Sequence, residues 1–307
     1  MKKLLFVGFL SSLIVASYAQ QEAINKGKEL FGDLRARHIG PALMRGRITD
    51  LELHPTNDRV IYAGTAGGGV WKSNNGGATF NPIFDDYCQS IGAVEIDPSN
   101  PDNNIWVGTG ETWTRNSVSV GDGVYKTVDG GTNWIKMGFE NSERIAGIQV
   151  NPKNPDEVYV AALGPLWNDS EDRGLYKTTD GGKTWSKILY VDKTTGCSDL
   201  MLDPKDPNIV YATFWEVRRQ PWAFNSGGIN SAVYKSTDAG KTFANVGLKE
   251  TQSIARIVTD PKDANIVYVA AVGHLHGANK ERGLYKTTDG GQTWSNTKFI
   301  NEDTGFT

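Results

Sequence analysis

Sulfur is scarce in this chain. Two cysteines, Cys88 and Cys197, stand among 307 residues, too few for a disulfide scaffold, and free thiols are the expectation. Histidine is thin as well, at 4, and no Cys/His spacing of a structural zinc site occurs. His274-x-His276 would share one face of an extended chain, but no third ligand accompanies it. The acidic stretch Asp169-x-Glu171-Asp172 is a weak calcium candidate, because acidic loops are more often simply solvated. No metal and no cofactor are expected. Basic and acidic residues number 32 and 35, a formal charge of -3. No block of Lys or Arg breaks that balance, so neither nucleic acid nor an anionic membrane has electrostatic support as a partner. A Ser–His–Asp order and a nucleotide-binding loop are also missing.

Long apolar runs are absent with one exception, at the N-terminus. Lys2 and Lys3 precede an apolar stretch from Leu4 to Ala16, and Ser17-Tyr18-Ala19 follows as a small-x-small cleavage pattern. The stretch is too short to span a bilayer comfortably. Residues 1–19 therefore read as a secretory signal, with a mature start near Gln20. The expected location is secreted, periplasmic or at the cell surface, without membrane insertion once the signal is removed. Residues 20–44 form a lead-in segment.

What the chain has in abundance is repetition. Gly69 to Phe80 returns as Gly123 to Trp134, Gly174 to Trp185, Ala232 to Phe243 and Gly283 to Trp294. The period is about fifty residues, which signals an array of small β-sheets. Each repeat opens on an alternating run that ends in proline: Ile48 to Pro55, Ile91 to Pro98, Ile145 to Pro152, Cys197 to Pro204 and Ile254 to Pro261. Alternation marks a strand with one face buried, and proline ends the ladder for want of an N–H. Runs such as Val60 to Ala63 and Val158 to Ala161 supply a second strand. The Tyr/Trp-Lys segment is a third, and the stretch after the closing aromatic is a fourth. The fold class is all-β, a β-propeller of four-stranded blades counted from the axis outward. Five blades are visible in residues 45–307, and the repeat stops where a sixth inner strand would begin. The expectation is an incomplete N-terminal part of a larger propeller.

The turn between the third and fourth strands reads Ser/Thr-x-Asp-x-Gly-x-Thr-Trp, with Asp129, Asp180, Asp238 and Asp289 at the acidic position and Asn75 in the first copy. It resembles the Asp-box, or BNR repeat, of sialidases, sortilins and xyloglucanases. These acidic residues read as structural, because a catalytic group is needed once and they recur in every blade. The hydroxyl and carboxylate accept backbone N–H groups within the turn, and the closing aromatic packs against the next sheet.

Function is expected at the other end of the blades, where the links between strands two and three differ in length and content. Of nine Trp residues, Trp113, Trp167, Trp215 and Trp222 lie in these links, with Arg115, Arg218, Arg219 and His274 beside them. Arg47 leads into the first inner strand at the same end and is a candidate, with Arg115 or Arg218, for holding an anion. Aromatic faces with polar neighbours suit a glycan or peptide ligand, unless the long links fold over and fill the channel mouth with their own Trp.

The resemblance separates three classes. Sialidases imply an early Arg-Ile-Pro, which Arg47-Ile48-Thr49 breaks. Xyloglucanases imply a catalytic carboxylate in a stretch resembling Tyr-Ala-x-Thr-Asp-x-Gly-Gly. This chain has Tyr62-Ala63-Gly64-Thr65-Ala66-Gly67-Gly68, with Ala66 at the acidic position. Glu111 and Glu216 are the carboxylates that remain to be considered for such chemistry. The sortilin-like class implies ligand binding without chemistry, and the run of repeats looks most like sortilin-related, glycosyl-hydrolase-like exported bacterial proteins. The leading expectation is a sortilin-like propeller binding a glycan or peptide. The alternatives are a glycoside hydrolase of the xyloglucanase or sialidase type, and a purely structural surface protein.

Overall fold

A computed structural model describes residues 47–113 and 118–307. The expected signal and lead-in segments, and Arg115, lie outside the described residues. The described chain folds into five sheets, each with four strands in sequence order from the axis outward, and in the fourth sheet one further strand pairs beside its second. Blade 1 holds β1 (Ile48–Leu53), β2 (Ile61–Thr65), β3 (Val70–Ser73) and β4 (Asn81–Pro82). Blade 2 holds β5 (Ile91–Ile96), β6 (Ile105–Thr109), β7 (Val124–Thr127) and β8 (Ile135–Lys136). Blade 3 is β9 (Ile145–Val150), β10 (Val158–Ala162), β11 (Gly174–Thr178) and β12 (Ser186–Leu189). Blade 4 is β13 (Thr195–Leu202), β14 (Val210–Gln220), β15 (Ala223–Ser226), β16 (Ala232–Ser236) and β17 (Ala244–Gly247). Blade 5 is β18 (Ile254–Thr259), β19 (Val267–Ala271), β20 (Gly283–Thr287) and β21 (Ser295–Lys298). All pairings are antiparallel, and most inner pairs carry a bulge near the first residues of the inner strand, as between Ile91 and Ala93.

The core lies between blades. Ile91, Val94 and Ile96 of β5 pack on Tyr62 and Val70 of blade 1, and Ile145 and Ile148 of β9 pack with Trp106 and Val124 of blade 2. Burial of these side chains, roughly 1.5–3 kcal/mol each, is the main force stacking the sheets. The first inner strand departs from the expected alternation. Ile48, Leu51 and Leu53 are 57%, 55% and 61% exposed, because no described blade covers the face that β5, β9, β13 and β18 each turn to the preceding blade. The polar side of β1 is the more enclosed one, since it faces the axis.

The repeated turns have one hydrogen-bond pattern. In blade 3 the Thr178 hydroxyl donates to Asp180 Oδ1 at 2.7 Å and accepts the Gly182 N–H at 3.0 Å, while Asp180 Oδ1 accepts the Thr184 N–H at 2.9 Å. Gly182 sits at φ 94°, a left-handed conformation that favours glycine. In blade 2 the Asn133 amide replaces the usual Thr hydroxyl and donates to Asp129 Oδ2 at 2.8 Å. In blade 1 Asn75 Oδ1 accepts the Thr79 N–H at 2.9 Å, and its amide donates to the Thr79 hydroxyl at 2.8 Å. These bonds hold Asp180, Asp238 and Asp289 below the usual carboxylate range and bring Asp129 down to about 2. The closing aromatic reaches back to the preceding blade rather than to the next. Trp134, Trp185 and Trp294 donate their indole N–H to Ile83 O, Met137 O and Val246 O at 2.8–2.9 Å. The end of each outer strand thus supplies the one acceptor a buried indole requires.

Candidate functional site

The links between second and third strands lie at the end opposite the repeated turns. Two of them are built around a buried arginine. Arg173, just before β11, donates to Leu163 O and Pro165 O, and through Nε to Lys193 O at 2.9 Å. Arg282, just before β20, repeats the scheme with Val272 O at 2.8 Å, His274 O at 2.7 Å and Glu302 O at 2.8 Å. In each case one planar fork ties a 2–3 link to the chain that leaves the blade. The repeated Arg-Gly-Leu-Tyr-Lys-Thr at 173–178 and 282–287 was the sequence signal for this role.

The blade 4 link is not a loop. β14 runs on past the sheet and pairs with β15, Val217 opposite Ser226 and Gln220 opposite Ala223. Pro221 and Trp222 form the hairpin tip, and Trp222 is 81% exposed. Arg219 lies over the Phe224 ring, 5.4 Å from its centroid. Trp167, in the blade 3 link, is 44% exposed. The other two link tryptophans turn inward. Trp215 is buried and donates to Ser226 Oγ at 3.1 Å. Trp113 and Trp215 line, with Leu163, Ser198 and Arg256, a cavity of about 20 Å³, room for about one water.

The candidate anion holders do not converge. Arg47 is ion-paired with Glu111, and Arg218 with Asp169, which also takes Lys193 at 3.2 Å. Each of these two guanidiniums is therefore given a carboxylate of this chain. Glu111 is buried beneath its pair. Ala66 lies close by, its N–H donating to Arg47 O at 2.9 Å. Glu216 is half-buried on β14, and burial, then Asp192, raises its carboxyl above the ordinary range. His274 and His276 part company: one ring nitrogen meets Glu250 O at 2.9 Å, the other Phe224 O at 3.2 Å. Among the described residues, no three of His, Cys, Asp and Glu gather as metal ligands. Cys88 and Cys197 are free thiols.

Sequence reasoning missed the axis. A cavity of about 320 Å³ is lined by all five inner strands, and Asp50, Glu52, Glu95, Asp199 and Arg256 face it. The acids bridge neighbouring blades. Asp50 Oδ2 accepts the Val94 N–H at 2.8 Å, Glu95 Oε1 accepts the Val150 N–H at 3.0 Å, and Asp199 Oδ2 accepts the Ile257 N–H at 3.0 Å. Arg256 of the last blade reaches Thr49 O of the first at 3.1 Å. Burial raises all four carboxyls, Asp199 to about 6 and Glu52 to about 7, with Asp50 adding to the rise at Glu52. Glu95, the most enclosed, is raised well above its ordinary value by burial and by Glu52. The signal was present as acidic residues at the third and fifth positions of the alternating runs.

Fold and site together define an all-β propeller with one repeated rim and one irregular, tryptophan-bearing rim. No protein-family model matches the chain. Its relatives include the xyloglucanase of Hypocrea jecorina, 26% identical over 231 residues, covering 66% of this chain and 26% of that protein. Xyloglucanase Xgh74A of Acetivibrio thermocellus is 23% identical over 226 residues, covering 64% and 25%. Among solved structures, the GH74 enzyme of Niastella koreensis superimposes with a TM-score of 0.61 at 19% identity, covering 81% of this chain and 38% of that one. The chain thus spans about a quarter of the length of the curated relatives it matches, and the structural likeness bears on fold alone. The relatives favour the glycoside-hydrolase reading over the sortilin-like one that led the sequence analysis. No helix among the described residues is long and apolar enough to cross a membrane.

Proposed function

We propose that the protein is a glycan-directed propeller of the glycoside-hydrolase type, exported from the cell, that takes a xyloglucan-like polysaccharide on its irregular rim. The observation that carries this is similarity to xyloglucanases over more than 200 residues in a fold that leaves Trp167 and Trp222 exposed on that rim. Flat aromatic faces suit the C–H face of a sugar, and the polar groups around them orient it. In this reading Glu216 is the proton donor, since a carboxyl raised by burial keeps its proton closer to neutrality. Glu111 is the second carboxylate of the pair that glycoside hydrolysis requires. With Ala66 at the position the resemblance assigns to an acid, the chemistry depends on these two.

The test is hydrolysis of xyloglucan by the purified protein, followed by reducing-end release, with Glu216→Gln and Trp222→Ala beside it. Expected is a loss of at least about a hundredfold in turnover for Glu216→Gln with binding retained, and weaker binding for Trp222→Ala. Turnover that survives Glu216→Gln unchanged contradicts the assignment. Saturable binding without any turnover leaves a binding module and removes the enzyme reading.

A further inference from the structure

The junction between blades 1 and 2 is filled by aromatic rings. Phe84 packs on Tyr87, Tyr125 and Trp134 with centroids 4.8, 5.3 and 5.0 Å away. The junction between blades 2 and 3 is built alike but lacks one ring. Phe139 packs on Tyr176 and Trp185, each at 5.0 Å. The turns match: Tyr87 N–H donates to Phe84 O at 3.2 Å, and Ser142 N–H donates to Phe139 O at 3.0 Å. Serine thus stands where the first junction has tyrosine, and a cavity of about 220 Å³ remains, edged by Glu140, Asn141 and Asp172.

The polar groups that line this cavity include both donors and acceptors. The Trp185 indole N–H is committed to Met137 O at 2.8 Å, and the Tyr176 hydroxyl donates to Asp172 O at 3.1 Å. What remains is the carboxylates of Glu140 and Asp172, the Asn141 amide and the Ser142 hydroxyl. A ligand that suits such a cavity brings hydroxyl donors for the carboxylates and an apolar face for the rings. Lys187 lies over the Tyr176 ring, 5.6 Å from its centroid, and places a positive charge near that wall. At about 220 Å³ the cavity is smaller than sites for drug-sized molecules and suits one ring rather than an oligosaccharide.

We propose that the cavity between blades 2 and 3, walled by Phe139, Tyr176 and Trp185 and edged by Glu140 and Asp172, binds a single neutral sugar ring, such as a chain end or a side branch. It takes its choice of sugar from the glycan reading above, but it is a separate place from the hairpin tip that carries Trp222. The experiment is titration of the whole protein with methyl β-xyloside and methyl β-glucoside, observed at the indole N–H resonances. Expected is a saturable shift of the Trp185 signal in the millimolar range. Ser142→Tyr, which restores the missing ring, weakens it at least about tenfold, as does Asp172→Asn should the tyrosine variant not fold. Asparagine keeps the shape of the rim and loses the charged acceptor. A Trp185 signal that stays still with both sugars overturns the proposal, as does equal affinity in both variants. Tighter binding of methylammonium than of either sugar also overturns it. A Trp185 response in a protein that neither binds nor cuts xyloglucan leaves this pocket standing and removes the polysaccharide reading instead.

Discussion

Arg173→Ala is expected to destabilise the protein by about 3–5 kcal/mol, a fall in Tm on the order of 10 °C. The side chain is fully buried. Burial lowers its pKa to about 10, so it stays a cation at neutral pH. Carbonyl oxygens from three segments make that tolerable: Leu163 and Pro165 in its own link, Lys193 in the chain leaving blade 3, and Val217 on β14 at 3.4 Å. Alanine leaves these acceptors buried without a donor, and each such loss costs about 1–3 kcal/mol. Arg173→Lys keeps the charge but cannot fork to several oxygens, so roughly half the loss remains. Arg282→Ala tests the same device in blade 5, with a smaller effect because that arginine is less enclosed. Thermal denaturation checks all three. A change for Arg173→Ala within about 0.5 kcal/mol, the usual range for a surface substitution, contradicts the assignment of this residue as the anchor of the blade 3 link.

Glu52→Gln is expected to stabilise the protein by about 1–3 kcal/mol at pH 8 and to change little at pH 5. Glu52 faces Asp50 on its own strand, shares a hydrogen bond with Glu95 of the neighbouring β5, and lines the same cavity as Asp199 and Arg256. Its folded pKa of about 7 lies above the ordinary 4.5. Between those values the folded protein holds a proton that the unfolded chain has released. Stability contributed by this group is therefore full below the unfolded pKa and is lost as pH rises through 7. Asp199, raised to about 6, acts in the same direction. The turn residues Asp129, Asp180, Asp238 and Asp289 act in the opposite one: their depressed pKa values give stability present above the ordinary range and lost as pH falls toward 2. Together the two sets place maximal stability at mildly acidic pH. Urea denaturation from pH 4 to pH 9 measures it, and Glu52→Gln flattens the alkaline limb. A variant less stable than wild type at pH 8 contradicts the axial account.

The blades were legible because their signals are local. The hydroxyl, the acid and the glycine of each turn sit within five residues, and period-two runs ending at Pro98, Pro152, Pro204 and Pro261 mark inner strands without tertiary information. The axis was not legible. Asp50, Glu52, Glu95 and Asp199 look like the solvent face of an alternating strand, and only the convergence of five inner strands encloses them. For the same reason Leu51 and Leu53 look like core yet lie exposed, since a neighbouring blade and not the strand itself decides burial. The hairpin of β14 and β15 was hidden because Pro221-Trp222 at its tip is not the Asn-Gly or Gly-x pair that marks a two-residue hairpin turn. The link tryptophans divided as neither expectation had it: Trp113 and Trp215 share one small cavity, while Trp167 and Trp222 are exposed.

The most direct test is a hydrogen-exchange footprint of the intact protein with a xyloglucan oligosaccharide. The account predicts slowed exchange in the links at 164–173 and 215–231, and no change in the turns at 127–134, 236–243 and 287–294. Protection centred on those turns, or none anywhere at saturating sugar, would show that the irregular rim is not where this propeller meets a glycan.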